Sequence, residues 1–202
     1  MNGTAADAWE RFLNPDTLKS NIICASTYIV AFDILKNSII ERIKGFYSVD
    51  FDKVTFRPIE TDRYRKEVLS LNKSPLYASL QWHKENEVID HADLDRFEVI
   101  KELRNKFAHE MMQFLAGDNS DYSLQPFKDM VHLLKKIEVW WIVNFEMATS
   151  PELYPEDLDI EEIMPGPVLS LQLLIQTALG SSVDAHNFYE SVIRQINTGK
   201  FD

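Results

Sequence analysis

A chain of 202 residues can bury a real core, and 45% hydrophobic with 26% charged residues excludes a disordered or fibrous class. A net charge of -11 works against broad nucleic-acid binding, because phosphate backbones are drawn to cationic surfaces, and leaves room only for a local basic groove. The single cysteine, Cys24, excludes a disulfide framework and a cysteine-based metal site, so a reducing cytosol is the expected compartment.

Residues 1–9 carry no basic segment followed by an apolar run, and no secretory leader is expected. Asn14-Pro15-Asp16 has the form of a helix start, with Asn as cap and Pro at the first helical position. The spacing predicts a helix to about Lys44, ended by Gly45. Its most apolar part, residues 22–40, is interrupted by Ser26, Thr27, Asp33, Lys36 and Asn37, which points to a buried helix and away from a membrane span. Residues 48–60 read as a connection, with Val49, Phe51, Val54 and Phe56 alternating as in a short extended piece. Residues 61–71 are a short basic helix, and Ser74-Pro75 opens the next helix, to about Val88.

A further helix is predicted from residues 91–93 to just before Gly117. Its core stripe is Leu94, Phe97, Ile100, Leu103, Phe107, Met111 and Phe114, recurring every three or four residues. Residues 117–121 are a turn, and residues 124–148 a long apolar helix with Phe127, Val131, Leu134, Trp141 and Phe145 on one side. Residues 149–162 are acidic and, with Pro165-Gly166-Pro167, form a linker to two last helices at 168–179 and 184–197. The expected fold is all-α, an antiparallel helical bundle over residues 1–148, with residues 149–202 as a C-terminal helical appendage packing on the same domain.

The run Arg104-Asn105-Lys106-Phe107-Ala108-His109 concentrates chemistry. Arginine holds phosphate charge, and histidine moves a proton near neutral pH. At 100° per residue Asn105 and His109 share an outer face with Glu98, Glu102 and Met112, whereas Arg104 lies about 140° from His109. A site using both needs a helix end or bend at this point, or a second copy brought across a two-fold interface.

These residues resemble the signature of the HEPN superfamily, an Arg followed after four to six residues by His, often with a polar residue directly after the Arg. The resemblance spans residues 14–148 and implies a helical bundle that forms a homodimer with two motifs in one cleft. It further implies a metal-independent endoribonuclease without cofactor, acting as a toxin or in phage defence, with Arg104, Asn105 and His109 as catalytic residues. RNA is then the substrate, an antitoxin or regulatory protein a further partner, and no membrane is involved. Met111 stands where a toxin subgroup carries a Tyr modified by a partner nucleotidyltransferase, so that form of neutralisation is not expected.

The plain alternative is a polar helix face with Arg104 paired to a carboxylate, on a non-catalytic helical dimerisation module or one that binds a protein or nucleotide. Asp33 is expected to be a buried polar contact or a partner of Arg104. The basic cluster from Arg57 to Lys73 either contacts RNA backbone or is a solvated face. His83 and His91 lack the further ligands a zinc site needs, and Ser181, Asp184 and His186 read as a helix-capping turn. Trp140 and Trp141 read as packing.

Overall fold

A computed structural model of the chain describes residues 9–10, 12–56, 58–116, 124–155 and 158–197. Asn14 caps the first helix as its side-chain oxygen accepts from the N–H groups of Asp16 and Thr17 at 3.0 and 3.2 Å. From there α1 runs unbroken over Pro15–Tyr47, 33 residues or about 50 Å. Gly45 does not end it. Tyr47 is buried beside Tyr64 and Trp82, and Phe46 packs on Trp141 and Phe145, so tertiary contacts carry the helix two residues past the glycine. Ser48 then closes it, donating its N–H to the Gly45 carbonyl at 3.1 Å.

The connection that follows holds one isolated bridge, Phe51 to Pro58, and no strand occurs among the described residues. Val49, Val54 and Phe56 are largely exposed there. Helix α2, Asp62–Tyr64, continues as a π turn over Arg65–Leu69. Helix α3, Pro75–Glu85, ends three residues before Val88. A capping box opens α4, His91–His109: Asp90 accepts from the Asp93 N–H, and Asp93 accepts in return from Asp90.

The predicted helix to Gly117 is two helices. Glu110, at φ -117 and ψ 25, separates α4 from α5, Met111–Ala116. The turn allows Phe114 to meet Phe107 edge-on at 4.7 Å, and the Leu115 carbonyl to accept from Asn21 of α1 at 3.3 Å. Helix α6, Gln125–Trp141, passes through a π turn at Ile142–Glu146 into a last helical turn, Met147–Thr149. Within the acidic stretch, short 3-10 turns form at Pro151–Leu153 and Ile160–Glu162. Helices α7, Gly166–Leu179, and α8, Ser182–Asn197, complete an all-α chain.

The helix α1 is the spine, packed against α3, α4, α5, α6 and α7. Its buried side chains Ala25, Tyr28, Phe32, Leu35, Ile39 and Ile43 recur at helical spacing and meet Phe97, Ile100 and Phe107 of α4 and Phe127, Leu134 and Trp141 of α6. Tyr28 sits at the junction, edge-on to Phe107 and Phe127 at 5.1 and 5.0 Å, and donates its hydroxyl to the Ile100 carbonyl at 3.1 Å. The pairs Tyr28–Phe127 and Arg42–Glu138 show α1 and α6 running in the same direction, while Lys136 to Asp93 sets α4 against α6 antiparallel. The arrangement is therefore a bundle of mixed direction. Val168 and Leu171 of α7 enter the same core.

The candidate active site at the end of α4

Arg104 projects from α4 toward α1. Its guanidinium carbon lies 5.6 Å from the centre of the Phe32 ring, an arrangement in which the ring face attracts the cation. One terminal nitrogen donates to the Asn105 side-chain oxygen at 3.4 Å, a long hydrogen bond. The Nε atom is buried and has no hydrogen-bond partner among the described residues. No carboxylate pairs with Arg104 among the described residues.

His109 is the last residue of α4, exposed, with no hydrogen bond or ion pair among the described residues. Asn105 is half-buried one turn before it. Arg104 and Asn105 are thus brought together, while His109, one turn beyond Asn105, lies beside the break at Glu110 and bonds to neither. Neighbouring charges have local partners: Lys106 pairs with Glu102 at 3.3 Å, and Lys101 donates to the Tyr77 hydroxyl of α3.

Several expected participants lie elsewhere. Asp33 is exposed, so it is neither a buried contact nor held by Arg104. It shares an open stripe of α1 with Ile22, Ser26, Val30 and Asn37. Two arginines of the basic cluster are neutralised from within, Arg63 by Glu67 at 2.9 Å and Arg65 by Glu60 at 2.6 Å; Arg57 lies outside the described residues. Among the described residues no group of three or more His, Cys, Asp or Glu could hold a metal. His91 lies at the surface beside Lys84, and His186 pairs with Glu190. Burial pushes the Cys24 thiol above its ordinary value, which keeps it protonated and unreactive.

His83 is fully buried, with Nε2 3.2 Å from the Ile39 carbonyl. A carbonyl only accepts, so Nε2 carries the proton and Nδ1 is left bare. Burial lowers this imidazole to about 4, the hydrogen bond to Ile39 opposing the shift. Trp82 beside it stacks flat on Trp141 at 5.7 Å, which fixes the role of Trp141 as core packing with the half-buried Trp140 edge-on to it.

Two polar arrangements had no counterpart in the sequence reading. Arg42 of α1 binds Glu138, which is buried, and Glu146 at 3.0 Å. Burial opposes charge on Arg42, but the hydrogen bonds and charges of Glu138 and Glu146 together outweigh it and raise its affinity for the proton. At the start of α4, the buried Asp93 accepts from Arg96 at 3.0 Å and from Lys136 of α6 at 2.5 Å. The third omission is Lys128, His132 and Lys135, spaced four and three apart on the outer side of α6, a spacing legible in the sequence.

The helix α1 is long and apolar enough to cross a membrane by length and composition, a test that the central helix of a bundle also passes. Comparison with known protein families, curated proteins and solved structures returns no match.

Proposed function

We propose that the chain is a metal-independent endoribonuclease of the HEPN type, a HEPN-like bundle with a C-terminal helical appendage, acting in the cytosol as a toxin or in phage defence. The observation that carries this reading is an exposed, uncommitted His109 at the broken end of α4 together with an Arg104 that no carboxylate neutralises among the described residues. A charged group left without a counter-charge at a helix end suits a ligand that brings its own negative charge.

In the proposed reaction His109 takes the proton from a ribose 2′-hydroxyl as that oxygen attacks the adjacent phosphorus. Arg104 holds the non-bridging oxygens as charge builds on the phosphorane, with Asn105 hydrogen-bonding the phosphate or the histidine. His109 of the partner subunit gives a proton to the departing 5′-oxygen, leaving a 2′,3′-cyclic phosphate and a 5′-hydroxyl. One chain offers half of such a site, because Arg104 faces α1 and His109 faces outward. A homodimer supplies the other half. An antitoxin or regulatory protein that covers the cleft is the partner this role requires.

The test is cleavage of RNA in EDTA by wild type, His109→Ala and Arg104→Ala. Each substitution is expected to lower the rate by about a hundredfold or more, and RNA carrying a 2′-deoxy sugar at the cleavage position should stay whole. Intact RNA with well-folded wild type, or cleavage by His109→Ala at the wild-type rate, ends the nuclease reading. The second reading, a non-catalytic dimerisation module or one that binds a protein or nucleotide, is favoured by the packing of Arg104 on Phe32. It predicts a tight stoichiometric complex that both variants still form.

A further inference from the structure

We propose that the open pocket bounded by α6, α7 and α8 is a binding site for a compact organic anion, a carboxylate or phosphate monoester carried on an apolar body. The cavity measures about 500 Å³, a size at which small organic ligands are commonly held. Its apolar surface comes from Phe127 and Val131 of α6, Ile175 of α7 and Phe188 of α8. One rim carries Lys128, His132 and Lys135, which lie on one side of α6. The opposite rim carries Gln172 and Gln176, one helical turn apart on α7, whose amides both donate and accept.

Charge decides what such a chamber selects. Among the described residues no aspartate or glutamate lines it, in a chain whose net charge is -11. Several cations elsewhere are neutralised: Arg42, Arg63, Arg65, Arg96, Lys106, Lys136 and Arg194 have carboxylate partners. The side chains of Lys128 and His132 have no ion pair or hydrogen bond among the described residues. Two uncommitted basic groups around an apolar cavity complement a ligand with a negative head and an oily body.

The shape decides its size. Lys135 reaches across the surface and donates to the Glu161 carbonyl at 2.9 Å. A second cavity of about 450 Å³ lined by Trp140 and Val143 adjoins the pocket, and the two share His132 and Lys135. A volume of about 500 Å³ suits a compact ligand. This inference is independent of the nuclease reading, because Arg104 and His109 belong to α4, which does not line the chamber.

Calorimetric titration of the full chain with naphthoate, naphthyl phosphate and the neutral naphthalenemethanol tests it. One saturable site is expected for at least one of the two anions, with the alcohol about tenfold weaker or more. Lys128→Gln combined with His132→Gln should weaken the anion about tenfold and leave the alcohol unchanged; Ile175→Asp should weaken all three. Thermal melting of each variant separates loss of binding from loss of fold. Equal affinity for the alcohol, undiminished anion binding by the double variant, or no saturable site overturns the proposal. Displacement of naphthyl phosphate by a short RNA that binds more tightly through Lys128 and His132 also overturns it, replacing the compact ligand with a strand.

Discussion

Two arginines project from α4 and α1 into contacts between helices, and their surroundings are opposite. Arg42, where α1 meets α6, is held by Glu138 and Glu146, with the Glu138 carboxylate fully buried. Arg104, where α4 meets α1, has an aromatic ring, one long hydrogen bond and a buried Nε without a partner among the described residues. A buried carboxylate and its cation are structural cement, since removing either strands the other. A cation without a counter-charge adds little to the fold and keeps its hydrogen-bonding capacity for something else. The two arginines are told apart by their partners, carboxylates for Arg42 and an aromatic ring for Arg104.

The contrast breaks most readily at Arg42. Arg42→Ala leaves the Glu138 carboxylate buried and unpaired, and about 3 kcal/mol of unfolding free energy should be lost in urea or thermal denaturation. A loss comparable to that of a surface pair would dissolve the distinction. A buried group that avoids charge altogether sharpens it. His83 titrates near 6.5 when unfolded and stays neutral in the fold down to about 4. As pH falls the unfolded chain takes up the proton first, so the stability His83 contributes is complete above 6.5 and declines progressively from 6.5 to 4. The full decline amounts to about 3 kcal/mol, and His83→Gln, which can still donate to Ile39, should flatten that part of the stability profile. The smallest expected change in stability is at Arg104. Arg104→Ala should cost under about 1 kcal/mol in melting experiments while removing RNA cleavage. A melting loss as large as that of Arg42→Ala would assign Arg104 to the fold.

Local signals were the readable ones. Asn14 and Pro15 announce the start of α1 because a cap acts within three residues. The stripe Phe97, Ile100 and Phe107 gave the core face of α4 for the same reason. What escaped the sequence depends on distant partners. Glu138 is 96 residues from Arg42. The end of α4 at His109 accompanies Asn21 and Phe107 meeting α5, contacts no local pattern contains. Asp33 is exposed although its run is apolar, because Ile22, Ser26, Val30, Asp33 and Asn37 form one uncovered stripe of α1. For the candidate site, residue types and the need for a helix end were legible; the turn of Arg104 onto Phe32 was not.

The spine also sets an order of events during synthesis. The helix α1 is translated before α6 and α7, two of the helices that cover it, and α6 begins only at Gln125. At ribosomal speeds the intervening residues take on the order of ten seconds. Through that interval the apolar side of a 33-residue helix has only α2 to α5 to shield it. Nascent chains stalled before Gln125 are therefore expected to crosslink to a chaperone through the α1 positions that meet α6, such as Tyr28, and chains extended beyond Leu179 to lose that crosslink. A crosslink that persists unchanged in the longer chains would show that α6 and α7 are not what shelters the spine.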